Sequence, residues 1–166
     1  MDDVELMRLF EAAHEAGVKL EMHEGIGLWE PLPFPAETLA RTKIIHSVSS
    51  PNPAKCVPLC LFDMAIQFDE RSVRRPDISI YLSHRPPKPT YEATRKLPEA
   101  VIEVVSSGSE VKDMELSPPF YLLHGVKDVV VFDPRTGSVA HFRRDGRKHL
   151  TSPVEIALEC GCVVTV

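Results

Sequence analysis

Two acidic residues stand at or inside short β-branched runs near the middle of this chain, and few strand arrangements tolerate that. Asp77 follows Arg75-Pro76 and opens Ile78-Ser79-Ile80-Tyr81, and Glu103 interrupts Ala100-Val101-Ile102-Glu103-Val104-Val105. A carboxylate within a segment that otherwise reads as buried strand is costly unless something pairs with it. Taken singly, each acid has a plainer explanation. Pro-Asp is common at a turn, and an acid flanked by Ile102 and Val104 can face water while they face the core. On neighbouring strands, however, two such acids can share one divalent cation, the arrangement a phosphodiester-cleaving metal site needs.

The 166 residues suit one domain, 1–166, with a substantial core. The formal charge of −5 lacks the basic excess of dedicated nucleic-acid binders. No apolar run approaches a membrane span, and the start Met-Asp-Asp-Val-Glu is unlike a signal peptide, which points to a cytoplasmic protein with no membrane partner. Cys56, Cys60, Cys160 and Cys162 form C-x-x-x-C and C-x-C. A zinc site could be built from both pairs. The favoured reading is reduced core cysteine, because Cys60 lies in Val57-Pro58-Leu59-Cys60-Leu61-Phe62 and Cys162 begins an apolar tail.

Periodicity predicts an amphipathic helix over 3–16, a strand over 18–23, a turn at Gly25-Ile26-Gly27 and a second strand starting near Leu28, with Trp29 in the core. A helix is expected over 36–48, stopped by Ser49-Ser50-Pro51-Asn52-Pro53. Strands follow at 61–68, 78–82 and 100–105, the last two separated by a proline-rich loop. Another helix falls within 110–124, and 126–132 is the clearest strand. Asp145-Gly146 marks a hairpin, and 163–166 is expected to close a sheet edge. The order suggests an α/β or α+β fold, a mixed central sheet flanked by helices.

The ordered series Arg75-Pro76-Asp77, Glu103-Val104-Val105-Ser106, Asp113, Tyr121, Gly125-Val126 and Val131-Phe132-Asp133-Pro134 resembles the Uma-two family. That family is a branch of the PD-(D/E)xK restriction-endonuclease-like superfamily, and the resemblance runs over residues 18–145. Glu21-Met22-His23-Glu24-Gly25 is similar to the family's N-terminal acidic strand and turn. The resemblance implies a restriction-endonuclease-like core, with Asp77 and Glu103 as metal-binding carboxylates and Glu21 and Glu24 as accessory acids. It implies Mg²⁺ or Mn²⁺ as cofactor, DNA as substrate and phosphodiester hydrolysis as the reaction. Homodimerisation accords with nucleases that act on duplexes in pairs.

The chain departs from the family pattern at the catalytic lysine. Val105 occupies the superfamily's lysine position, and Ser117 stands four residues after Asp113, where this branch carries one. Pro118 and Pro119 follow, and the expectation is that Ser117 caps a short helix. Lys112 is the nearest replacement and Lys127 a weaker one; a solvated surface lysine is the default for both. The alternative function is therefore a catalytically inactive nuclease-fold protein that binds DNA or a partner protein. His23 and His46 could assist the acids. Arg74, Arg75, Arg85, Lys88, Arg95, Lys96 and the cluster Arg143, Arg144, Arg147, Lys148 could contact phosphates. No Walker loop, G-x-S-x-G elbow or H-E-x-x-H helix is present, and Gly25-Ile26-Gly27 lacks the third glycine of a dinucleotide fold.

Overall fold

Alternation of apolar and polar residues builds two sheets whose junction gathers the acids. The computed structural model describes residues 3–90 and 92–166. Helix α1 (Asp3–Glu15) packs on a four-stranded antiparallel sheet ordered β2-β1-β5-β4, from β1 (Val18–His23), β2 (Ile26–Pro31), β4 (Ile66–Asp69) and β5 (Ser72–Arg74). Leu6, Phe10 and Ala13 of the helix bury Leu20 and Val73 of that sheet. The opposite parity of β1 carries Lys19 and Glu21, both buried.

A six-stranded mixed sheet, ordered β10-β9-β8-β7-β6-β3, forms the centre. Its strands are β3 (Pro58–Phe62), β6 (Ile78–Leu82), β7 (Ala100–Val104), β8 (Asp128–Asp133), β9 (Ser138–Arg143) and β10 (Gly146–Thr151). The β7–β8 pair is parallel and the other pairings are antiparallel. One face packs Ile78, Ile80, Ile102, Val104 and Val130 with residues of α2 (Pro35–Ser47) and the C-terminal hairpin. The other packs Val101, Val129, Val131 and Ala140 beneath Phe120 and Tyr121 of α3 (Ser117–Leu123). This is the mixed α/β architecture expected, a central mixed sheet flanked by helices.

Several local expectations need correction. The predicted strand 61–68 is two strands in different sheets, divided at Asp63, whose φ of +44° turns the chain from one sheet to the other. Trp29 is 64% exposed on edge strand β2 and does not belong to the core. Residues 163–165 (β12) pair with β11 (Glu155–Ala157) as a separate two-stranded hairpin and do not extend the large sheet. Ser117 makes no cap. A π-helical stretch, Lys112–Leu116, runs directly into α3, with the Ser117 N–H reaching back to the Lys112 carbonyl. Lengthened i→i+5 bonding accommodates Pro118 and Pro119, whose missing N–H groups would break an ordinary helix at this point.

Candidate active site

Antiparallel pairing of Ile78 with Ile102 places Asp77 opposite Glu103, and each carboxylate accepts a backbone N–H from the other's strand. The Asp77 N–H donates to Glu103 Oε2 at 3.0 Å, and the Val104 N–H donates to Asp77 Oδ2 at 2.8 Å. Tyr121, reaching down from α3, donates its hydroxyl to Glu103 Oε1 at 2.8 Å. Glu103 is fully buried and Asp77 nearly so. The two sequence-predicted acids therefore meet at one end of β6 and β7.

The small sheet completes the cluster. Lys19 Nζ lies 2.8 Å from Asp77 Oδ1 and 3.2 Å from Asp63 Oδ1. Arg41 of α2 reaches the same Asp77 oxygen at 2.7 Å. Glu21, expected to face water or to stand near the metal, is buried and engaged on both oxygens: Arg74 Nε donates to Oε2 at 2.9 Å and the Arg75 N–H to Oε1 at 2.6 Å. Lys112, for which a solvated surface position was the default, is buried within the cluster. Its ammonium is 2.6 Å from Glu30 Oε1, 2.7 Å from Asp113 Oδ1 and 3.6 Å from Glu21 Oε2.

Ser117, in the slot where the family lysine was expected, accepts a 2.6 Å bond from Arg74 Nη2. The Arg74 guanidinium lies over the rings of Phe120 and Tyr121, 5.2 and 5.4 Å from their centroids. A cation thus occupies this position, delivered from β5 rather than from the helix. Arg74 was noted only as a basic neighbour of Asp77, and Lys19 and Arg41 were missed. The available signal was parity: Lys19 lies two residues before Glu21 on one strand, so both must share a face.

Electrostatics follow from crowding. Six carboxylates, Glu21, Glu30, Asp63, Asp77, Glu103 and Asp113, are ion-paired or hydrogen-bonded into one cluster with four cations, Lys19, Arg41, Arg74 and Lys112. With every acid ionised, two negative charges remain unmatched. Burial, then Asp77 and Asp113, push the Glu103 carboxyl well above the usual range. Burial also raises Asp113, against the pull of Lys112. For Glu21, burial acts upward, but Lys112, Arg74 and Lys19 outweigh it and hold the carboxyl well below the usual range. Burial likewise opposes the Lys19 charge, yet Asp77, Glu21 and Asp63 keep its ammonium well above an ordinary lysine. The Tyr121 phenol is raised by burial and by Glu103, so it stays a donor.

The donor set fits a hard divalent cation, which takes oxygen ligands. Oδ1 of Asp113, Oδ1 of Asp63 and Oε1 of Glu30 are buried against lysine ammoniums without hydrogen-bond geometry, and they are oxygens of the ligand type such an ion takes.

Other candidates lie elsewhere. Lys127 is half-exposed, pairs with Glu99 and precedes β8, at the end of the sheet remote from Asp77. Arg143, Arg144, Arg147 and Lys148 surround the β9–β10 turn at that same remote end. Arg143 is tied to Asp128, which also accepts from His141 and the Glu159 N–H. Glu24 sits in the exposed β1–β2 turn, where its carbonyl accepts from Arg71. His23 packs edge-on against Phe120 beside Arg74, while His46 bonds the Thr42 carbonyl on α2, away from the acids.

A family model, Uma2, described as Putative restriction endonuclease, matches residues 4–159. A crystal structure of a putative nuclease belonging to DUF820 from Anabaena variabilis is similar in fold, with a TM-score of 0.63. Its identity is 18%, and the match covers 83% of this chain and 80% of that one. No curated protein matches the chain.

Proposed function

Because this chain belongs to the Uma2 family, described as Putative restriction endonuclease, we propose that it is a Mg²⁺-dependent DNA endonuclease acting through Asp77 and Glu103. The observation that carries this reading is the convergence of those two buried acids, each carboxylate accepting a backbone N–H from the other's strand, inside a cluster of further acids. In this reading Asp77 and Glu103 hold the ion, and Glu21, on the neighbouring sheet, is an accessory acid. Mg²⁺, with Mn²⁺ as substitute, would supply Lewis-acid polarisation of a phosphoryl oxygen and a more acidic coordinated water. None of the described helices is long and apolar enough to cross a membrane. A cytoplasmic location and a homodimer cutting paired strands belong to the same reading.

The protein's own groups have distinct tasks. Lys19, on the Asp77 carboxylate, is the group best placed to stabilise charge developing on the phosphate. Lys112 balances Glu21, Glu30 and Asp113 and is the second candidate. Tyr121 orients Glu103. Arg74 anchors Glu21 to Ser117 and fills the position where the branch carries its lysine.

Plasmid cleavage with Mg²⁺ or Mn²⁺, with Asp77→Asn and Glu103→Gln alongside, tests this directly. Metal-dependent cutting that drops at least about a hundredfold in both variants is expected. Cutting by both variants at the rate of the unaltered chain would discard the assignment. One observation favours a non-cleaving binder: Asp77 Oδ1 is already held by both Lys19 and Arg41. DNA retained in a mobility-shift assay without any cleavage would select that second reading.

A further inference from the structure

Cys56, Cys160 and Cys162, separated by most of the chain, converge at the C-terminal hairpin, and Cys60 lies beside Cys160. Cys56 lies in the loop entering β3, Cys60 lies on β3, and Cys160 and Cys162 flank Gly161 in the turn between β11 and β12. The sulfurs of Cys56, Cys160 and Cys162 all lie within 4.8 Å of one another. The turn is tight: the Gly161 N–H donates to the Leu158 carbonyl, and the Leu158 N–H to that of Cys162. Gly161 holds a φ of +92°, a backbone conformation that favours glycine, and so keeps the two flanking cysteines in one tight turn. The Cys162 N–H faces the Cys160 sulfur and favours its thiolate, against the upward push of burial. Cys60 packs against the same core, and burial, then the neighbouring Cys160, raise its thiol to about 11.

The structure joins Cys56 to Cys162 as a disulfide with a Cα–Cα separation of 5.9 Å, which leaves Cys60 and Cys160 as half-buried thiols beside it. A disulfide engages two of the three gathered sulfurs, whereas a metal would use all three and take the neighbouring Cys60 as its fourth ligand. We propose that Cys56, Cys60, Cys160 and Cys162 bind one zinc ion as a structural four-thiolate site, with Cys56 and Cys162 serving as ligands in place of the disulfide. Zinc–sulfur bonds of about 2.3 Å put tetrahedral sulfurs about 3.8 Å apart, compatible with the spread of the three. Four protein ligands leave no open position, so the ion braces the fold and takes no part in hydrolysis. It would tie the C-terminal hairpin to the entrance of β3, joining elements that are otherwise linked by the paired backbone of Ser49 and Val163 and by Ser47. Thiolates select zinc over magnesium, so this site is chemically separate from the carboxylate cluster.

The test is metal analysis of the full chain purified under reducing conditions. We expect one zinc per chain, kept in Asp77→Asn and lost in Cys60→Ser and Cys160→Ser. Cobalt exchanged into the unaltered protein should show the charge-transfer absorption of a four-sulfur site, a readout that needs no variant to fold. In denaturant with chelator, four thiols should react. Two reactive thiols with no metal would establish the disulfide and overturn the proposal. Zinc retained in full by Cys60→Ser, or no uptake by a chain whose four thiols all react, would overturn it equally.

Discussion

Glu103 is the residue on which pH acts most directly. Its carboxyl is raised by burial and by its acidic neighbours, so the folded state keeps a proton that the unfolded chain releases. Without metal, stability from this group is complete below the ordinary glutamate range and is lost as pH rises through the folded value. Urea melts across pH should show that decline in the unaltered chain and a flatter profile in Glu103→Gln; identical profiles would show that Glu103 is not the responsible group. Ion binding must displace the same proton, so Mg²⁺ affinity should weaken as pH falls, which calorimetric titration in two buffers would read as proton release. The lysines separate by position. Lys19→Met should lower cleavage by about 10²–10³-fold, a loss typical of removing one transition-state donor. Lys112→Met should cost less, since its ammonium contacts Glu21, Glu30 and Asp113 and not Asp77. A reversed order in single-turnover rates would move the assignment to Lys112.

At the scale of elements, the junction of the π-helical stretch with β5 is the most exacting contact. Arg74 is fully buried, paired with Glu21, bonded to Ser117 and held over two aromatic rings. Arg74→Met should destabilise by about 3–5 kcal/mol, because it strands a buried carboxylate. Ser117→Ala should cost about 1–3 kcal/mol, since the lost partner is charged. Chemical denaturation measures both, and near-equal losses would contradict the pairing described. These same elements mark how far the amino-acid order could be read. The strands carrying Asp77, Glu103 and Val129–Val131 were legible because β-branched runs and parity are local signals. The helix within 110–124 was legible, but its unbroken passage through Pro118-Pro119 was not, since two prolines argue for a break and only the widened turn before them reverses that. Nor was Lys19 singled out as a site residue: an isolated lysine beside Leu20 looks like any surface charge until a second sheet covers it.

For the molecule as a whole, the ion cluster lies where the two sheets join, with Lys19, Glu21, Glu30 and Arg74 from one and Asp77 and Glu103 from the other. On the proposed function, a divalent ion is a ligand of the folded state alone. Saturating Mg²⁺, at about a hundred times its dissociation constant, should therefore add about 2.7 kcal/mol of stability. A thermal shift in the unaltered chain that vanishes in Asp77→Asn and Glu103→Gln is the expected result; an unchanged melting temperature would argue against an ion at this place. The cysteine convergence was also hidden in the sequence, because it depends on the C-terminal hairpin folding back on the loop before β3, which spacing alone does not reveal.

The small turn at Glu24-Gly25 has a reach beyond its size. Both residues have positive φ, and the turn is fastened to Arg71 by two hydrogen bonds. It sets how β1 lies against β2, pairing Lys19 with Glu30 and Glu21 with Leu28. Were that hairpin to slip by a single position, the greasy side chains of Leu20 and Met22 would rotate into the ionic pocket and the two charged ones would swing out toward α1. An indel in this hairpin tip could thus silence chemistry that none of its own atoms performs.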